Sequence, residues 1–316
     1  MLPLPAIKKA LKELSYKSVF VAQLFYWYNY LDFHISYWLA GLLNREKVLV
    51  YQVGKVGSGT IRDSLNSHGF HSYHVHFLTQ EGIEQEKKWI SEQWGYSRPR
   101  MLMNSIRVKE YQYLRDKISA RNALEGKRWK VVTLVRDPIA IEISGFFNSL
   151  EGLFPNLVHR YQARVLGIDE IIESFLKEYV TNPAQIGDYT LNWFDREMKP
   201  VFGIDIYSDT FPKSKGFKIY NGAHADLLLL KLEKLNECAA DAFQEFLDIE
   251  DFQLVNAHLA SEKEYRDVYQ DFMNTLVLPD VYIETLYTSK YAQHFYGEDE
   301  IAAFKEKWCK QKIAAV

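Results

Sequence analysis

The stretch YQVGKVGSGTI, residues 51–61, decides how this chain is read. The strand before it, KVLVYQ from Lys47, is short, apolar and rich in β-branched residues, which reads as a buried strand. The segment after it, SGTIRDSLNS from Ser58 to Ser67, has helical spacing and stops near Gly69. Glycines at 54, 57 and 59 fill the junction. They let backbone approach an anion closely, while the free N–H groups of the first helical turn point at it. Ser58 and Thr60 add hydroxyl donors, and Lys55 adds a mobile positive charge. Gly54, Lys55, Val56, Gly57, Ser58, Gly59, Thr60 and Ile61 therefore form a candidate cradle for phosphate or an analogue of it. A plain strand–helix turn is the alternative, yet three glycines with Lys, Ser and Thr exceed what a turn requires. The lysine precedes Gly57 and Gly59, and no Lys-Ser or Lys-Thr pair follows. That order departs from the GxxxxGK[ST] pattern of nucleoside-triphosphate sites and speaks against magnesium-dependent ATP chemistry.

Outward from this junction, strands and helices are expected to alternate. HSYHVHF, His71 to Phe77, alternates like a second strand, and Glu81 to Trp94 reads as a polar helix. MLMNSI, residues 101–106, reads as a third strand and Val108 to Asn122 as a helix. KVVTLV, Lys130 to Val135, is a fourth strand running into Arg136, Asp137 and Pro138. Pro155 to Pro200 reads mainly as helix, broken at Asn182-Pro183. Ile204–Tyr207 and Phe217–Tyr220 are candidates for a hairpin, Asp226–Lys231 for a late strand, and the remainder for helices. The expected architecture is α/β: a parallel sheet flanked by helices, with a helical insertion and a helical C-terminal region. Residues 1–45 are expected to form an aromatic-rich helical segment, and 46–316 a single domain.

Composition narrows the function classes. The chain has 316 residues, 47% hydrophobic and 25% charged, which excludes a disordered or fibrous protein. Its net charge of −3, from 38 Lys and Arg against 41 Asp and Glu, argues against a dedicated nucleic-acid binder. Cys238 and Cys309 are too few for a disulfide framework and have no zinc-site spacing. The first residues lack the apolar run and cleavage site of a secretory signal, so a reducing cytoplasm is expected. From Val19 to Leu43 nine residues of 25 are aromatic, interrupted by Gln23, Asn29, Asp32 and His34. No membrane span is expected there. Two readings stay open: helices packed on the domain, or an interfacial segment on a membrane, at its inner face, or on a lipid-linked substrate.

Three further groups carry possible chemistry. Arg136, at the end of a parallel strand, would face the crevice where such sheets bind ligands, and its guanidinium suits a phosphate. An Arg-Asp-Pro at this place also serves simply as a helix start. His74 and His76 share one face of the second strand, and either could act as a general base, His74 being the first choice. They could equally be packing residues or half of a metal site, for which spacing supplies no third ligand. NWFDRE, Asn192 to Glu197, suits either stacking against a sugar or a buried amphipathic helix.

Two of these segments together resemble the sulfotransferases that use 3′-phosphoadenosine 5′-phosphosulfate (PAPS). GKVGSGT is similar to their first signature, and LVRDPIAIEISGFF to their second, 81 residues on. The resemblance implies a P-loop-like, sulfotransferase-like fold from about Lys47 onward. It implies that Lys55, Gly57, Ser58, Gly59 and Thr60 wrap the 5′-phosphosulfate, with Lys55 assisting the leaving group. It further implies that Arg136 and Ser144 bind the 3′-phosphate. HLASEKEYRDVY resembles the family's late loop over the nucleotide, from which Lys263 could reach that phosphate. LLLLKLEKLNE, from Leu227, resembles a late family strand, and Glu233 there reads as structural rather than catalytic. The implied donor is PAPS, the product 3′,5′-ADP, and the partner a hydroxyl-bearing small molecule or glycan, with no metal and no nucleic acid. The nearest likeness is to bacterial sulfotransferase-like proteins labelled as capsular polysaccharide synthesis proteins. The rivals are an ATP-dependent small-molecule kinase and a nucleotide- or glycan-binding protein without turnover.

Overall fold

The computed structural model describes residues 13–43, 45–122, 128–182, 185–255 and 265–309. The elements, in chain order, begin with α1 (Val19–Leu42), β1 (Lys47–Tyr51), α2 (Ser58–Ser67), β2 (His71–Val75), α3 (Gln80–Trp94), α4 (Arg98–Asn122) and β3 (Trp129–Val135). The middle holds α5 (Pro138–Leu153), α6 (Leu157–Gln162), α7 (Ile168–Tyr179), α8 (Asp188–Trp193), a π turn (Phe194–Met198) and α9 (Lys199–Phe202). Then come β4 (Phe217–Asn221), β5 (Ala225–Lys231), α10 (Leu235–Leu247), α11 (Arg266–Thr275), α12 (Asp280–Tyr287), α13 (Lys290–Phe295) and α14 (Glu298–Cys309). Two compact units result: Met1–Lys47 with Phe77–Trp129, and Val48–His76 with Lys130–Val316. The N-terminal segment does not group alone, because residues 77–129 cluster with it.

The first unit is helical, with α1 and α3 both packed on α4. MLMNSI, expected as a strand, lies inside α4. Its two Met and one Leu are good helix formers, and Asn104, a poorer one, donates to the Arg100 carbonyl one turn back at 2.8 Å. Among the described residues no helix is long and apolar enough to cross a membrane.

The second unit is mixed α/β, built on a five-stranded sheet in the order β2-β1-β3-β5-β4 with helices around it. β1 and β3 run parallel, with Val48 opposite Lys130 and Val50 opposite Val132. The expected parallel sheet carries an antiparallel edge at β4, which pairs with β5 from Phe217–Leu230 to Asn221–Asp226. Only Gly222 to His224 separate the two strands, whereas a parallel pair needs a crossover of about a dozen residues. The hairpin partner of Phe217–Tyr220 is therefore β5, not Ile204–Tyr207. That earlier segment bends into a 3₁₀ turn, because the Asp205 side chain accepts from the Tyr207 N–H at 3.0 Å. The central strands are buried along nearly their whole length: Leu49, Val50, Tyr51, Val131, Val132, Leu227 and Leu228 are all fully buried. This is why they read as continuous apolar runs rather than alternating ones.

Candidate functional site

The chain leaves β1 through Gln52 and Val53 into the glycine turn. Lys55 sits there at φ 70°, in the left-handed region that a side chain rarely adopts. Gly57, at φ 92°, caps α2 without any side-chain cap. Its backbone angle favours glycine, and a Cβ there would stand 2.8 Å from Leu232 Cδ1, which would have to shift to make room. With no side-chain cap, the first N–H groups of α2 remain available to an anion.

β3 ends beside this turn. The Arg136 guanidinium donates to the Lys55 carbonyl oxygen at 2.8 Å, and Lys55 Nζ donates to Asn148 Oδ1 of α5 at 3.0 Å. Ser144 lies one helical turn before Asn148, so both occupy one face of α5. Lys55, Arg136 and Ser144 are half-buried and Asn148 is exposed, so solvent reaches the cluster. Asn148 was not singled out by sequence. Its spacing of four from Ser144 was the available signal.

The next residue, Asp137, anchors the arginine from below. Its carboxylate caps α5 through the Ile139 N–H at 3.1 Å and accepts from Tyr287 Oη at 2.7 Å and Trp308 Nε1 at 3.0 Å. Its backbone N–H donates to Glu233 Oε1 at 2.7 Å, and Glu233 Oε2 accepts from Tyr296 Oη at 3.2 Å. Tyr291 Oη hydrogen-bonds the backbone of Arg136. Burial pushes the carboxyls of Asp137 and Glu233 above the usual range, opposed in part by these donors. Glu233 is thus a strut, as its strand-end position suggested. Sequence reasoning missed the four tyrosines at 282, 287, 291 and 296, whose spacing reads only as a buried helical face.

On the other side of the turn stand the histidines. The His74 and His76 rings meet edge to face with centroids 4.5 Å apart. His76 Nδ1 lies 2.8 Å from the Gln52 carbonyl oxygen, which can only accept. Nδ1 therefore carries the proton, and in the neutral ring Nε2 keeps its lone pair. His76 Cε1 is 4.0 Å from where a Cβ on Gly54 would stand, which sets this ring against the turn. The geometry thus favours His76 over His74 as the residue facing Lys55's loop. NWFDRE supports this strand end from the core: Trp193 Nε1 donates to the His76 carbonyl at 2.9 Å, and Glu197 accepts from Tyr51 Oη at 2.5 Å. Trp193 and Phe194 are 1% and 2% exposed, so they offer no stacking surface to a sugar.

Among the described residues no group of three His, Cys, Asp or Glu side chains could hold a metal ion, and the histidine pair gains no third ligand there. Lys263 lies outside the described residues. A cavity of about 400 Å³ in the second unit is lined by Tyr161, Arg164 and Asp267 among others; of the segments quoted from the sequence, only HLASEKEYRDVY contributes, through Asp267 and Val268.

Residues 168–297 match a family model described as "NKWYS: Putative capsular polysaccharide synthesis protein". The matched stretch holds Glu233 and the tyrosines at 287, 291 and 296 that grip the Arg136–Asp137 corner; the glycine turn and Arg136 itself precede it. No curated protein and no solved structure matches the chain.

Proposed function

We propose that this protein is a sulfotransferase that moves a sulfuryl group from PAPS to a hydroxyl acceptor, a saccharide hydroxyl in the first instance. The observation that supports the reading is the contact between the Arg136 guanidinium and the Lys55 backbone carbonyl, which joins two residues that follow separate strand ends. A nucleotide phosphorylated at both ends of its ribose calls for two cationic grips; a singly phosphorylated ligand calls for one. The description of the matched family favours a saccharide acceptor.

In this reading Ser58, Thr60 and the first N–H groups of α2 hold the phosphosulfate, while Arg136 and Ser144 hold the 3′-phosphate. His76 Nε2 takes the hydroxyl proton as the acceptor oxygen bonds to sulfur. The bond from sulfur to the bridging phosphate oxygen breaks, the electron pair stays on that oxygen, and 3′,5′-ADP leaves. The Lys55 ammonium meets the charge developing there. Lys55 is held for this by a left-handed backbone and by Asn148, so little reorganisation accompanies the reaction. The reading requires no metal.

Thermal denaturation with 3′,5′-ADP, AMP and ATP tests it. A rise in melting temperature selective for 3′,5′-ADP is expected, since only a ligand that binds the folded chain stabilises it. A rise with ATP and magnesium alone would overturn the donor assignment in favour of a kinase.

A further inference from the structure

The helix α1 faces the wrong way for an ordinary surface helix. Such helices bury their apolar stripe and expose polar residues. Here the side packed on α4 carries Phe33, His34 and Tyr37, whose rings meet Tyr113 at 5.7, 4.4 and 5.2 Å. The opposite side is a continuous apolar stripe at helical spacing: Phe20, Leu24, Trp27, Leu31, Ile35, Trp38 and, a turn on, Leu42, all exposed. Phe20, Trp27 and Trp38 are 68%, 58% and 63% exposed. The stripe runs about 33 Å at 1.5 Å per residue, and Asp32 is the one charged residue within α1. An exposed apolar surface of this extent marks an interaction site.

Charge identifies the occupant. The first unit holds 17 Lys and Arg against 10 Asp and Glu, a net +7; the second holds 21 against 31, a net −10. A chain that is acidic overall thus concentrates its positive charge on the unit bearing the stripe. Beside the stripe, Gln23 and Tyr26 of α1 form one wall of a cavity of about 420 Å³, which Lys87, Arg98 and Lys109 also line. Lys87 pairs with Glu84 at 2.6 Å, whereas no ion pair engages Arg98 or Lys109 among the described residues. We infer that α1 lies in the surface of an anionic membrane, its Trp and aliphatic side chains among the lipid chains and the cavity's cations on lipid phosphate. A second copy of the chain fits less well, because pairing two such stripes would bring two units of charge +7 together. The inference is independent of the donor assignment.

The test is flotation of the full chain with phosphatidylcholine vesicles and with vesicles also containing phosphatidylglycerol. Binding selective for the anionic vesicles is expected. Trp27→Ser with Trp38→Ser should abolish it without altering the circular-dichroism melt, since both side chains are exposed. Arg98→Ala should weaken it about fivefold on anionic vesicles, the equivalent of ~1 kcal/mol for one cation near such a surface. Failure of the native chain to float, or flotation unchanged by the tryptophan double substitution, overturns the inference. So does a native dimer in sedimentation that the same substitutions turn to monomer while vesicle binding stays absent, which would assign the stripe to a second copy.

Discussion

The hydroxyl of Tyr291 closes both backbone groups of Arg136: it accepts from the Arg136 N–H at 3.0 Å and donates to the Arg136 carbonyl at 2.9 Å. One buried side chain from α13 thereby fixes the residue that β3 offers to the candidate site. Tyr291→Phe leaves both groups unpaired in the interior, at about 1–3 kcal/mol. The expected result is a lower denaturant midpoint together with weaker binding of 3′,5′-ADP. Unchanged nucleotide affinity in a folded variant would show that the Arg136 backbone does not govern the site.

Lys55 separates stability from function. Its left-handed backbone costs an ordinary residue about 1–2 kcal/mol, which glycine avoids. Lys55→Gly should therefore be at least as stable as the native chain in urea, yet lose the proposed sulfuryl transfer. Lys55→Ala should lose transfer and gain no stability. A variant Lys55→Gly that kept its activity would remove the lysine from the mechanism.

The two histidines should behave differently although they touch. His76→Gln removes the ring set against the glycine turn, and kcat is expected to fall by roughly 10²–10⁴ with little change in 3′,5′-ADP affinity. His74→Gln should retain most of the native kcat. The reverse ranking in steady-state kinetics would transfer the role of base to His74.

Glu142, 5% exposed in α5, accepts from Tyr282 Oη. Burial pushes its carboxyl up to about 7, with the Tyr282 hydroxyl working in the opposite direction. Between the ordinary carboxyl range and pH 7 the folded chain keeps a proton that the unfolded chain has released. Stability from this group is full below the unfolded value and is lost as pH rises through 7, by up to about 3 kcal/mol. Asp137 and Glu233, also raised by burial, act with the same sign. Urea melts at pH 5 and pH 8 should show the decline in the native chain and a flatter profile in Glu142→Gln, whose amide oxygen still accepts from Tyr282.

Local signals carried much of the fold into the sequence. The turn from Tyr51 to Ile61 announced itself because glycines, a lysine and hydroxyls have few other reasons to cluster between a strand and a helix. Helix α2 was legible to its bounds, Ser58 and Ser67, from periodicity and the glycine beyond it. MLMNSI misled because six apolar-leaning residues without a full helical period fit either element. The edge strand β4 was legible at Phe217–Tyr220, but its partner was not, since short apolar runs on either side of it offered two candidates. At the site, Lys55, Arg136 and Ser144 were visible as charged or hydroxyl residues at strand and helix ends. Asn148, Tyr291 and the left-handed backbone of Lys55 were not, since each draws its meaning from a partner far along the chain.

The anchoring of Asp137 bears on how the chain is made. A buried carboxylate that rests on Tyr287 and Trp308 has no such support while residues 138–286 are still being synthesised. The glycine turn and Arg136 leave the ribosome early, but the corner that holds them together stays incomplete until Trp308 has emerged. Assembly of this corner is thereby deferred until the chain has been made at least as far as residue 308.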